Sequence, residues 1–104
     1  VRKPIGITEE VIYYIPNAFT PDGDEFNQYF TPVFTSGIDP TSYFLAVYNR
    51  WGELIFESRD VAIGWDGTYR GEVVPTGMYT WNIRIKHKYS DAHEDIVGHV
   101  SLLR

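Results

Sequence analysis

The sequence contains no cysteine, so neither a disulfide nor a thiolate metal site can stabilise the fold or serve catalysis. Basic residues are also scarce: nine lysines and arginines face fourteen aspartates and glutamates, giving a formal net charge of −5 at pH 7. Domains that bind nucleic acid usually carry a basic stripe, which is lacking here, so we expect no nucleic-acid partner. No apolar run approaches the length of about 18 residues that spans a bilayer, so we expect no direct membrane insertion.

What the chain does contain is a high share of aromatic residues, 16% of 104 residues, within a hydrophobic content of 43%. This composition is typical of one globular domain whose small core is filled largely by rings. Residues 1–10 are mixed and polar, and we interpret them as a linker or lead-in before a domain at residues 11–104. Because the chain begins with valine, we expect it to be part of a longer protein.

Short apolar runs separated by turn residues predict an all-β fold. In residues 78–88, the side chains of Tyr79, Trp81, Ile83 and Ile85 alternate with polar ones, so one face of that strand should be buried. The last run alternates in the same way and places Val100 and Leu102 on the inner face. With no sustained helical period, the sequence predicts an immunoglobulin-like antiparallel β-sandwich of about seven strands, expected to be a monomer.

Two turns in the middle of the chain each combine a tryptophan with a glycine. Residues 43–57 predict a hairpin whose turn is Asn49-Arg50-Trp51-Gly52, and Trp65-Asp66-Gly67 forms a second turn. Together with Tyr69 and Tyr89, these tryptophans could form a sugar- or protein-binding platform. The alternative, which we favour for so small a core, is that Trp51 and Trp65 fold back to close its ends.

The titratable residues do not suggest an enzyme. The serines lie in no nucleophile-elbow sequence, and there is no cysteine to replace them. The three histidines, His87, His93 and His99, lack the spacing of metal ligands, so we expect them at the surface. We therefore predict a domain without catalytic activity.

One cluster of oxygen-bearing side chains leaves two interpretations open. Asn17, Asp22, Asp24 and Asn27 surround Gly23, which is an arrangement that a calcium ion could use. The same residues can instead form Asx-turns that accept hydrogen bonds from their own backbone. We favour the Asx-turns, and accordingly expect no cofactor.

Five motifs together resemble one known family, the gliding-motility-associated C-terminal domain. They are IPNAFTPDGD at residues 15–24, YNRWGELIF at 48–56, GWDGTY at 64–69, PTGMY at 75–79 and GHVSLLR at 98–104. This CHU_C-like family is the type B sorting domain of the type IX secretion system. The resemblance covers residues 14–104 and implies a C-terminal signal that directs a large cargo protein of a Bacteroidetes bacterium to the cell surface or exterior.

The resemblance also implies the partners. Such a domain is recognised in the periplasm, passes the type IX outer-membrane translocon and has a PorP/SprF-like membrane partner. A folded signal needs exposed features of fixed shape, and turns on a rigid sandwich provide them. Our candidates for recognition are Asn49, Arg50, Trp51, Gly52, Trp65, Asp66, Gly67, Gly77, Leu102, Leu103 and Arg104. The competing interpretation is an adhesive immunoglobulin-like module that binds glycan or protein through its aromatic turns.

Overall fold

Nine β-strands and one 3-10 turn make up the secondary structure of the computed structural model, which describes residues 12–21, 28–88 and 92–103. The proposed linker at residues 1–10 lies outside these residues. The strands are β1 (Ile12–Tyr14), β2 (Ala18–Phe19), β3 (Val33–Ser36), β4 (Phe44–Tyr48), β5 (Leu54–Ser58), β6 (Thr68–Tyr69), β7 (Glu72–Val73), β8 (Gly77–Lys86) and β9 (His93–Leu102), and the 3-10 turn is Pro40–Ser42. Within the described residues, no helix is long and apolar enough to cross a membrane.

A five-stranded sheet in the order β2-β9-β8-β4-β5 forms the main layer of the domain. Its two longest strands, β8 and β9, pair antiparallel along their whole lengths, from Gly77 opposite Leu102 to Lys86 opposite His93. The strand β2 runs parallel to β9, since the Ser101 N–H donates to the Asn17 carbonyl at 2.9 Å. The purely antiparallel prediction is wrong for this pair, because side-chain alternation does not indicate strand direction and a two-residue strand shows no alternation at all.

The inner face of this sheet carries the core that the alternating pattern predicted. Tyr79, Trp81, Ile83, Ile85, Val100 and Leu102 are all buried, none more than 6% exposed. The pair β1–β3 and the pair β6–β7 form two small sheets, and Phe34 and Tyr69 from them pack against the core. The all-β prediction is confirmed, and a main sheet with two smaller sheets packed against its core fits an immunoglobulin-like sandwich.

Rings from distant parts of the chain meet at the centre of this core. The ring of Trp65 lies 5.4 Å from that of Phe19 and 5.0 Å from that of Tyr79, centroid to centroid. Phe30 lies 6.1 Å from Trp81 and also exchanges two backbone hydrogen bonds with Trp65, at 2.8 and 3.0 Å. These tilted and edge-on contacts join the connecting segments to the inner face of the main sheet.

Two buried tyrosines differ in the state of their hydroxyl groups, and this difference gives a prediction. The Tyr43 hydroxyl is buried without a hydrogen-bond partner in the part of the chain described, whereas the Tyr79 hydroxyl donates to the Pro75 carbonyl at 2.6 Å. Tyr43→Phe should therefore raise the free energy of unfolding by about 1 kcal/mol, and Tyr79→Phe should lower it by about as much. Denaturant titration of both variants checks the pair, and equal losses would contradict it.

The same hydroxyl also predicts a dependence on alkaline pH. Burial raises the pKa of Tyr43 from 10.0 to about 12. Above pH 10 the unfolded chain releases this proton, while the folded chain keeps it. The free energy of unfolding is therefore unaffected by this group below pH 10 and falls as pH rises from 10 through 12. The Tyr43→Phe variant should lose less stability than the parent over this range.

Candidate functional site

The turn at residues 49–52 is held by its own asparagine and glycine. The Asn49 Oδ1 atom accepts hydrogen bonds from the Trp51 and Glu53 N–H groups, both at 3.0 Å, and the Gly52 N–H donates to the Asn49 carbonyl at 3.0 Å. Gly52 has a φ of 82°, which a residue with a side chain rarely adopts. Asn49 and Gly52 therefore fix the shape of the turn, which leaves Arg50 and Trp51 to project from it.

The two tryptophans of the Trp-Gly turns have opposite environments. Trp65 is fully buried, and its indole N–H donates to the Thr68 carbonyl at 2.9 Å. Trp51 is 79% exposed, and the Arg50 guanidinium lies 5.1 Å from the centroid of its ring. The interpretation that both rings close the core is right for Trp65 and wrong for Trp51, because the hairpin turn projects beyond the sheet.

Beside this turn lies a cleft of about 410 Å³. Its lining comes from the hairpin, from β6, from the connection between β7 and β8, and from the start of β8. It consists of Asn49, Arg50, Trp51, Ile55, Tyr69, Val74, Pro75, Thr76, Gly77, Met78 and Tyr79. Ile55 and Tyr79 are buried, whereas Trp51 and Met78 are exposed, Met78 at 57%. The cleft is thus mainly apolar, and a tryptophan and a methionine are two large apolar side chains exposed beside it.

A short chain of hydrogen bonds joins the turn to β6 across the cleft. The Asn49 side-chain amide donates to one carboxylate oxygen of Glu53 at 2.9 Å, and the Tyr69 hydroxyl donates to the other at 3.2 Å. Trp51 and Tyr69, both proposed for an aromatic platform, therefore line one cleft. Trp65 is excluded from that platform by burial, and Tyr89 lies outside the described residues.

Several other recognition candidates have structural roles. The Asp66 Oδ1 atom accepts from both the N–H and the hydroxyl of Thr68, at 3.1 and 2.7 Å, and Gly67 has a φ of 84°. Trp65 and Leu102 are fully buried, so a partner cannot contact either side chain on the folded domain. Leu102 lies between β2 and β8 in the main sheet, and its side chain belongs to the core on the inner face.

The remaining candidates differ in how far the structure describes them. Gly77 lies at the cleft, and Leu103 is exposed just beyond β9. Arg104 lies outside the described residues.

The structure describes only part of the proposed calcium loop. Asn17 is exposed at the entry to β2, while Asp22, Asp24 and Asn27 lie outside the described residues. Among the residues that are described, no group of three or more histidines and carboxylates is placed to hold a metal ion. The choice between calcium and Asx-turns remains a prediction.

One histidine has a carboxylate partner that the sequence pattern did not indicate. His87 Nε2 lies 3.1 Å from the Glu94 Oε1 atom, and its side chain is only 22% exposed. His93 and His99 are exposed, as expected. The pair joins residues at the far end of the β8–β9 hairpin from the cleft.

Sequence reasoning found the turn but missed much of the rest of the cleft. Its candidates did not include Ile55, Val74, Pro75 and Met78, although the YNRWGELIF and PTGMY motifs contain three of them. The sequence did contain a signal for Met78. It is the first residue of the predicted alternating strand at residues 78–88, but it occupies one of the positions that are otherwise polar. An apolar residue in that position indicates exposed apolar surface.

Comparison with known proteins bears on the whole domain. A family described as CHU_C Type IX secretion signal domain matches residues 13–102. No curated protein and no solved structure matches the chain. The family match includes every strand of the main sheet and every residue of the cleft. The chain belongs to the CHU_C family of type IX secretion signal domains.

Proposed function

We propose that this domain is a folded sorting signal that routes the protein carrying it through the type IX secretion machinery to the cell surface or exterior. The family membership supports a C-terminal sorting role. In our proposal the domain acts by being bound and performs no chemistry. It folds in the periplasm, and a PorP/SprF-like membrane protein recognises it there before the translocon carries it out.

The observation that carries this proposal is the cleft with Trp51 at its rim. Large side chains that stay exposed on a rigid support are typical anchors of protein interfaces, and tryptophan is the most enriched of them. The hydrogen bonds from Asn49 and Tyr69 to Glu53 hold the turn in place, so little conformational freedom is lost on binding. A partner that covers Trp51 and Met78 would remove two exposed apolar side chains from water.

Export of a passive cargo tests the proposal. Residues 1–104 are fused behind a fluorescent protein that carries a standard export signal, in a host with a type IX system. The intact fusion should appear outside the cell, and Trp51→Ala should reduce its export by about tenfold, since truncating an interface anchor typically removes more than 1 kcal/mol. Met78→Ala should reduce export in the same direction.

Matched controls separate recognition from general surface change. Tyr14→Ala removes an exposed aromatic ring, and Val97→Ala an exposed aliphatic side chain, neither of which lines the cleft. Both should leave export unchanged, and all four variants should melt near the parent temperature. If the intact fusion stays in the periplasm, the sorting proposal fails and the adhesive module becomes the better interpretation. If Trp51→Ala is exported normally, the cleft is not the recognition site.

The three C-terminal recognition candidates, Leu102, Leu103 and Arg104, should not all be deleted together. Since Leu102 is buried between β2 and β8, removing it would damage the sheet as well as any signal. Removing only Leu103 and Arg104 tests the terminus while keeping that side chain. If export then stays at the parent level, these two residues are not part of the signal.

A further inference from the structure

The two edges of the main sheet are protected to very different degrees. At one edge, β2 has only two residues and lies between Pro16 and Pro21, which cannot donate backbone hydrogen bonds. At the other edge, β5 has five residues and contains no proline, lysine or glycine. No strand lies on its outer side within the described residues. Short strands, prolines and lysines are how proteins usually prevent pairing at an edge, so β5 is the open edge.

The open edge is continuous with the cleft. Ile55 belongs to β5 and also lines the cleft, and the turn bearing Trp51 leads directly into this strand. A register shift in the β4–β5 pairing occurs beside Ile55, where Val47 faces Phe56 and Tyr48 faces Leu54. The bulge leaves Ile55 as the extra residue, and Ile55 is buried although Leu54 beside it is exposed.

From this arrangement we infer that an extended segment of the secretion partner adds to β5 as a sixth strand of the main sheet; the inference rests on the function proposed above. In strand addition, backbone hydrogen bonds supply the affinity and adjacent pockets for side chains supply the specificity. The open edge of β5 provides the backbone hydrogen-bonding groups, and the cleft beside Ile55 provides a pocket for a side chain. The partner segment therefore carries an apolar side chain where it passes the cleft.

The charge on the edge indicates a second feature of the partner segment. Glu57 is exposed on β5, and within the described part of the chain it has no ion pair or hydrogen bond through its side chain. Opposite charges on neighbouring strands stabilise their pairing, whereas like charges oppose it. We therefore expect a lysine or arginine in the partner segment beside Glu57, a few residues from the apolar side chain. An excess of acidic residues over basic ones in the whole domain favours the same partner.

Reversing the charge of Glu57 tests the inference in the export assay. Glu57→Lys both repels a basic partner and places a lysine on the edge, so export should fall by about tenfold. Glu72→Lys is the matched control, because Glu72 is also an exposed strand residue but lies on β7, which belongs to a separate two-stranded sheet. That variant changes the net charge identically and should be exported like the parent. Thermal melting of both purified domains confirms that they fold.

Photo-crosslinking in exporting cells shows whether the partner segment pairs with β5 as a strand. A benzophenone amino acid is placed at position 54, 57 or 72 of the otherwise intact fusion. Positions 54 and 57 should cross-link to one continuous segment of a type IX component, at sites about three residues apart, because paired strands have the same rise per residue. Position 72 should give no cross-link to that segment.

The outcomes distinguish this inference from the sorting proposal. If the intact fusion is not exported, the sorting proposal itself fails. If the intact fusion is exported and Glu57→Lys is exported equally well, strand addition at β5 is wrong while sorting stands. Cross-links from positions 54 and 57 that fall on separate segments would also overturn it.

Discussion

Replacing Trp65 with alanine should lower the free energy of unfolding by about 3–5 kcal/mol, the range for truncating a large aromatic side chain in a core. Trp65 is fully buried, packs against the rings of Phe19 and Tyr79, and satisfies its indole N–H with the Thr68 carbonyl. Truncation leaves a cavity where these rings meet and leaves that carbonyl without its partner. A domain of this size has a total stability of only about 5–15 kcal/mol, so this single change removes a large fraction of it.

Trp51→Ala is the matched control, since it removes the same side chain from a similar Trp-Gly turn. Trp51 is exposed, and its ring is contacted by Arg50, which is also exposed. Surface substitutions of this kind usually change stability by no more than about 0.5 kcal/mol. Urea titrations followed by circular dichroism measure both variants. Similar losses for the two would show that the assignment of one buried and one exposed ring is wrong.

The second large effect is expected at Gly64, where alanine should reduce stability by about 3 kcal/mol, toward the upper end for overpacking. A Cβ atom at this position would lie 2.6 Å from the Phe30 carbonyl oxygen and would also meet the Thr31 hydroxyl. Phe30 cannot easily move away, because its N–H and carbonyl groups both bond to the backbone of Trp65, the next residue after Gly64. Relief of the contact therefore requires breaking the bridge that joins these two segments.

Two further variants identify the cause of the Gly64 effect. Adding Thr31→Ala to Gly64→Ala removes the hydroxyl contact but keeps the backbone contact, so most of the loss should persist. Gly52→Ala reports the effect of conformation alone: its φ is 82°, and a Cβ there would meet no atom within 4 Å. That variant should lose about 1–2 kcal/mol. Full rescue by Thr31→Ala would show that the backbone of Phe30 can adjust.

Long strands were predictable from the sequence, and very short ones were not. The period of two is clear in the sequence from Tyr79 to Ile85 of β8 and from Ile96 to Leu102 of β9, which correctly placed Trp81 and Val100 inside. The strands β2 and β6 have two residues each, and no period can be recognised over that length. Their pairing is decided by distant partners, such as β9 for β2, which local patterns do not contain.

Of the candidate site, only the turn at residues 49–52 was predictable from the sequence. Asn49 and Gly52 identify a turn from their own backbone preferences. Whether the neighbouring tryptophan turns inward depends on packing partners far away in sequence, such as Phe19 for Trp65. Two similar turns therefore gave one buried ring and one exposed ring. The cleft combines β5, β6 and the start of β8, so its depth and lining emerge only when these segments are assembled.

The parallel pairing of β2 with β9 determines how the domain bears a mechanical load. A force that enters through the chain ahead of β2 and is resisted at the end of β9 pulls these two strands past each other along their length. The bonds from the Ser101 and Leu103 N–H groups to the carbonyls of Asn17 and Phe19 are then stretched together, in shear. An antiparallel hairpin pulled at its two ends opens one bond at a time. The domain thus resists traction along the chain better than the short length of β2 suggests.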